Sequence, residues 1–149
     1  MIEEFPKTKN CILEFDDSWL TIWFNRIEKR NALSEGLLND IKNTVEFVND
    51  KKSVRGILFR GKGGNFCSGA DLDEIKKLTS SNKNAKLSAF KMSNMVGLIF
   101  EIISKAPQIT ISVVEGAGMA GAFGIACATD FLITMANANY ALTETKIGL

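Results

Sequence analysis

The chain has 149 residues, a formal net charge of +1, 46% hydrophobic and 23% charged residues, and no histidine. The length suits one domain burying about two thirds of its unfolded surface, and the composition is that of a globular chain, not a disordered one. A charge near zero argues against a general nucleic-acid or membrane-surface binder, and the missing histidine leaves proton transfer to carboxylates, Lys, Tyr, Cys or water.

The start, MIEEFPKTK, has no apolar core of a secretory signal, and no run of about 18 apolar residues follows, so a cytoplasmic protein with no membrane span is expected. Cys11 to Phe15 and Trp19 to Phe24 are short β-branched and aromatic runs around Asp16-Asp17-Ser18, which predicts a β-hairpin. Ser34 suits a helix N-cap, and Leu37, Leu38, Ile41, Val45 and Val48 recur at helical spacing over 35–49. Val54 to Phe59 reads as a third strand. The glycine-rich stretch from Gly61 to Leu72 then turns into a short helix with Ile75 and Leu78 on its apolar side. Thr79 to Asn84 is small and polar and reads as a mobile link. A long helix is expected over 85–104, ended by Pro107, and Ile109 to Val114 is the fourth strand. A second glycine-containing turn, Glu115 to Gly121, leads into a helix ending near Ala128. Phe131 to Met135 and Tyr140 to Leu142 complete the strands. Helices alternating with strands in this order predict an α/β fold with mostly parallel pairing. Cys11, Cys67 and Cys127 are odd in number and form no CxxC pair, so buried free thiols are expected and no metal or redox site.

Both strand–turn–helix units brush against nucleotide-binding patterns. Gly56 to Lys62 matches GxxxxGK, but Gly63 supplies no hydroxyl for a metal ion and 57–59 read as strand. Gly116-Ala-Gly118-Met-Ala-Gly121 matches GxGxxG after a strand, yet no acidic residue ends a following strand at the required distance. A dinucleotide-binding oxidoreductase is the remote alternative. A turn at a helix start also leaves backbone N–H groups unpaired, and two such turns converging make an oxyanion hole. Cys67-Ser68-Gly69-Ala70 and Met119-Ala120-Gly121-Ala122 have the small residues that this requires. Tight strand–helix packing asks for the same residues, so both readings stand on spacing alone.

Four segments carry a family resemblance. Asn25 to Ser34 (NRIEKRNALS) resembles the N-terminal signature of the crotonase (enoyl-CoA hydratase/isomerase) superfamily. Phe66 to Leu72 (FCSGADL) and Val114 to Asp130 are similar to its two oxyanion-hole segments, and Leu142 to Leu149 to its segment with an acidic catalytic residue. They occur in family order and cover about 19–149. The tail and the Phe-Gly-Ile pattern most resemble methylglutaconyl-CoA-hydratase-like members.

The resemblance implies a crotonase-like spiral of β-β-α units with a mostly parallel sheet, C-terminally truncated. It implies an enzyme acting on an acyl-CoA thioester through an oxyanion-stabilised enolate, with CoA as part of the substrate and no separate cofactor. Carried over residue by residue, the backbone N–H groups of Ser68 and Gly121 are the oxyanion donors and Glu144 the acid/base. Lys29, Arg30, Ala32, Ser68, Gly69, Ala70, Asp71 and Gly121 contact the CoA ester. Lys29 and Arg30 serve either CoA phosphates or solvent. Hydratases of the family carry a further Glu in the helix after the second turn; here that position is Gly124. Hydration, expected ahead of isomerisation, is therefore in competition with isomerisation and decarboxylation, and an inactive or weak fragment that binds acyl-CoA or another chain is the alternative. The implied family domain continues past Leu149 into a helical trimerisation region. Residues 1–149 are thus expected to be its N-terminal core, with an open sheet edge, an uncovered apolar face and a homo-oligomeric state (trimer or hexamer).

Overall fold

Strands β1 (Cys11–Asp16) and β2 (Trp19–Phe24) pair antiparallel from Cys11↔Phe24 to Asp16↔Trp19. Asp17 and Ser18 join them at φ 44° and 67°, the two-residue turn whose twist suits a hairpin. The computed structural model describes residues 4–80 and 85–146, within them not the side chains of 78–80, 85, 88, 89, 144 and 146. Helix α1 (Glu35–Val48) starts where expected, with Ser34 Oγ accepting the Leu37 N–H at 3.1 Å. Then follow β3 (Gly56–Gly61), α2 (Leu72–Ser80), α3 (Ala85–Ser104), β4 (Ile109–Val114), β5 (Ala117–Met119), α4 (Gly121–Ala128), β6 (Phe131–Thr134) and β7 (Asn139–Ala141).

The main sheet has the order β1-β2-β3-β4-β6, parallel from β2 onward. One face carries Leu20, Ile22, Phe24, Ile57, Phe59 and Val114 into a single core with Leu37, Leu38 and Ile41 of α1, Ile99 and Ile103 of α3 and Ile125 of α4. The expected mostly parallel α/β architecture is observed. Asp130 ties its far end, accepting the Thr110 N–H at 2.8 Å and hydroxyl at 2.9 Å. A second, smaller layer forms from the parallel pair β5–β7 and the bridges Cys67↔Gly118 and Leu33↔Ala70. This layer sits past the C-terminal ends of β3 and β4, where ligands bind in open parallel sheets.

Three expectations change. The third strand starts at Gly56, because the Val54 N–H closes a turn on Lys51 O and the Arg55 and Gly56 N–H groups both reach Ser18 O. The second turn contains a strand, β5, which three residues of Ala-Gly-Met did not announce. Cys11 and Cys67 are buried as expected, but Cys127 is exposed on α4. Trp19 and Trp23 share a strand face, but a half-exposed one: Trp19 lies across Gly56, and Trp23 donates to Glu14 Oε2 at 2.6 Å beneath Arg60 and Lys62. Of the expected mobile link, Thr79 and Ser80 end α2, and 81–84 lie outside the described residues. Phe131, Leu132 and Ile133 of β6 are exposed on both faces, and among the described residues β6 pairs only with β4.

Candidate functional site

The first turn is built around Asn31, which follows a one-turn 3-10 helix (Ile27–Lys29) and, like Arg30, holds a left-handed conformation. Its amide is fully buried. Oδ1 accepts the Arg26 N–H at 2.8 Å, and Nδ2 donates to Lys62 O at 2.9 Å and Asn65 O at 2.8 Å. Three of the four hydrogen-bonding capacities of that amide, both donors among them, are thus tied to the loops that frame the turn. Arg26 adds a second tie: its guanidinium donates to Ala32 O at 2.5 Å and to Asp71 Oδ2 at 2.8 Å.

Between these anchors, residues 66–71 run as a short extended segment. The Phe66 N–H bonds Glu115 O, the Cys67 N–H bonds Ala117 O, and the Asp71 N–H bonds Leu33 O, all between 2.7 and 2.9 Å. The Ser68 N–H donates to Arg30 O at 3.0 Å. The expected oxyanion donor is therefore already spent on the protein. The unpaired N–H lies two residues on. In the parallel bridge Leu33↔Ala70, the Leu33 N–H bonds Gly69 O and the Asp71 N–H bonds Leu33 O, so Ala70 turns its own N–H away from Leu33. Among the described residues that N–H has no acceptor. Gly69 makes the kink at φ 90°, where a side chain would be strained. A Cβ there would also stand 2.9 Å from the Ala120 Cβ, so the two turns touch. The Cys67 thiol sits under this kink. Burial pushes its pKa up to about 12, against backbone hydrogen bonds of Gly69 and Leu33, so it stays a neutral packing group.

The second turn relies on backbone. Ala120, the N-cap of α4, holds φ 55° and ψ −128°, a conformation that disfavours any Cβ. Its N–H donates to Ala141 O at 2.7 Å, and its carbonyl accepts the Phe123 N–H at 2.9 Å. Gly121 opens the helix, and among the described residues its N–H has no acceptor. A Cβ on Gly121 would meet Leu33 Cδ1 at 3.1 Å. The GxGxxG stretch is no phosphate loop. Its middle is β5, and the Ala117, Met119 and Ala120 N–H groups bond Asn65 Oδ1, Cys67 O and Ala141 O, which removes the dinucleotide reading.

A cleft of about 550 Å³ opens beside the touching turns. Of the residues expected to meet a ligand, Lys29, Arg30, Ala32, Ser68, Ala70 and Asp71 line it, as does Ala120; Gly69 and Gly121 belong to the adjoining turns and are not among its lining residues. Thr143 also lines it and begins the 3-10 turn Thr143–Lys146 that contains Glu144, whose side chain lies outside the described residues. Asp71 has a structural duty. Its Oδ1 caps α2 through the Asp73 and Glu74 N–H groups (3.0 and 3.3 Å) and its Oδ2 holds Arg26. Burial alone would raise its carboxyl, but the Arg26 hydrogen bond and those N–H groups together hold it below the usual carboxylate range. Lys29 is paired with Asp73, both half in solvent.

The ring of Phe100 covers Gly124: a Cβ there would lie 2.3 Å from Cζ of Phe100, so the ring would have to shift to admit a side chain. Arg26 and Asn31 are the site residues that sequence reasoning missed as functional anchors. Their partners lie as far as 45 residues away, and no local spacing signals them.

The family model described as enoyl-CoA hydratase/isomerase matches residues 14–149. Among curated proteins, the chain is 30% identical over 131 residues to the mitochondrial methylglutaconyl-CoA hydratase of Mus musculus, covering 87% of this chain and 40% of that protein. It is 30% identical over 128 residues to the enoyl-CoA hydratase ACTT6 of Alternaria alternata, with 86% and 40% covered. Among solved structures, Pseudomonas aeruginosa AtuE superposes with TM-score 0.88 at 32% identity, covering 95% of this chain and 54% of that one. An enoyl-CoA hydratase/isomerase from Marinobacter aquaeolei gives TM-score 0.88 at 28%, with 94% and 54% covered. The chain thus spans two fifths of these curated relatives and about half of these solved chains, and its fold is crotonase-like.

Proposed function

The chain belongs to the enoyl-CoA hydratase/isomerase family, and from that premise we propose that its cleft binds an acyl-CoA thioester and carries enolate chemistry. The observation that carries this reading is the pair of N–H groups, Ala70 and Gly121, that have no acceptor among the described residues and lie at two turns in direct contact. The thioester oxygen accepts both. As the α-carbon loses or gains its proton, negative charge moves onto that oxygen, and each preorganised donor lowers the barrier by about 3 kcal/mol. Glu144 is the proposed acid/base, supported by Thr143 at the cleft edge. No separate cofactor enters the scheme. Ala32 and Ala70 leave space for the CoA chain beside the backbone.

A second reading, a chain that binds the ester with little turnover, draws on Gly124. With Phe100 seated on that glycine, one helix position contributes no carboxylate, and hydration requires water to be both placed and activated. A homo-oligomer, trimer or hexamer, is proposed on the exposed apolar strand β6. No helix among the described residues is long and apolar enough to cross a membrane. Free thiols fit a reducing compartment, with the cytoplasm expected, while the named relatives include a mitochondrial protein.

The test is acetoacetyl-CoA binding, followed by turnover of crotonyl-, 3-enoyl- and methylglutaconyl-CoA by the chain and its Glu144→Gln variant. Turnover falling by roughly 100-fold or more in the variant, with binding retained, is expected. Full turnover by Glu144→Gln would remove Glu144 from the mechanism, and an ester that binds but never turns over selects the second reading.

A further inference from the structure

Three carboxylates open α2, and each is held by the segment that forms the opposite wall of the cleft. Asp71 bonds Arg26, Glu74 Oε2 accepts the Glu35 N–H at 3.0 Å, and Asp73 pairs with the Lys29 ammonium. The contacts differ in kind. Asp71 is 5% exposed and its carboxylate has three donors in total when its cap bonds are included, so it is fixed. The Lys29 and Asp73 side chains are 42% and 56% exposed and both line the cleft. The Lys29 hydrogen bond holds the Asp73 carboxyl below its usual range, and the same contact raises the Lys29 ammonium, so both are charged at neutral pH. An ion pair this wet contributes little to stability. It can exchange one anion for another at small cost, and a phosphate carries more charge than a carboxylate.

We infer that Asp73 is a specificity-determining residue: its carboxylate occupies Lys29 in place of a phosphate group of the ligand and competes with that phosphate for the ammonium. The inference rests on the acyl-CoA reading, because CoA is what brings phosphates to this cleft. On entry, the ligand phosphate takes Lys29 and Asp73 swings free. The displaced carboxylate remains in the first turn of α2, where the helix dipole favours it. A thioester without phosphates leaves the pair intact and gains nothing from Lys29. Asp73 therefore sets how strongly the cleft prefers the nucleotide-bearing ester over the same acyl group on a bare pantetheine arm.

The test compares acetoacetyl-CoA with acetoacetyl-pantetheine by titration into the wild type, Asp73→Asn, Lys29→Met and the double variant at low ionic strength. Asp73→Asn should bind the CoA ester about two- to five-fold tighter, the span of one exposed ion pair, with pantetheine affinity unchanged. The gain should shrink at high salt and vanish in the double variant. Asp73→Ser, which also suits a first helical turn, should reproduce it, and thermal unfolding checks that each variant is folded. CoA affinity that ignores Asp73→Asn and Asp73→Ser in folded protein, or a gain that survives loss of Lys29, overturns the inference alone. A wild type that binds neither ester overturns the acyl-CoA reading itself, and this inference with it.

Discussion

The two glycine turns present the same chemistry by opposite means. The first is held by side chains from far along the chain: Asn31 fills three bonds, and Arg26 and Asp71 clamp the loop to α2. The second is held by backbone: β5 lies between Cys67 and β7, and Ala120 ties β7 through its N–H and the start of α4 through its carbonyl. Where the two turns touch, the positive-φ residue of the first is a glycine, Gly69, and that of the second is an alanine, Ala120. Side-chain anchoring makes the first turn sensitive to single substitutions. Backbone anchoring makes the second tolerant of side-chain change except where packing is already closed.

The largest effect should come from Asn31→Ala. It strands two carbonyls and one N–H in the interior, and alanine also fits φ 56° less readily than asparagine. A loss of about 4 kcal/mol in denaturant unfolding is expected. A loss below about 1 kcal/mol would show that the first turn stands without its amide. Next is Gly124→Ala on the second turn's helix. Its Cβ collides with Phe100, which should cost about 2 kcal/mol, and pairing it with Phe100→Leu should recover most of that. If the double variant is no more stable than the single one, Phe100 is not the obstacle. Ala120→Gly should move the other way, gaining about 1 kcal/mol by relieving the positive φ. No rise in the urea midpoint would mean that the alanine is not strained.

The gentlest probe of the comparison is acid. The Asp71 carboxyl is depressed in the fold, so its contribution is complete above its unfolded pKa near 4 and is lost as pH falls through the lower folded value. Asp71→Asn should flatten that acid limb of the stability profile. An unchanged limb would place the acid sensitivity elsewhere.

The sequence by itself determined most of the elements and the family. Hydrophobic period 2 in Trp19–Phe24 and period 3.6 in Glu35–Val48 are local signals, and the Ser34 cap acts within one turn. The two small-residue turns were legible because helix starts must leave N–H groups open. Which N–H groups stay open was decided only in three dimensions. Ser68 and Ala70 are equally small, and it takes the Arg30 carbonyl on one side and Leu33 on the other to spend the first and release the second. β5 exists for the same reason: three residues hold no strand until Cys67 and Asn139–Ala141 flank them. Gly124 read as a missing carboxylate, and the fold shows what stands there instead, the ring of Phe100. Local pattern fixes where backbone groups are unpaired; long-range hydrogen bonds and packing choose which of them a ligand can reach.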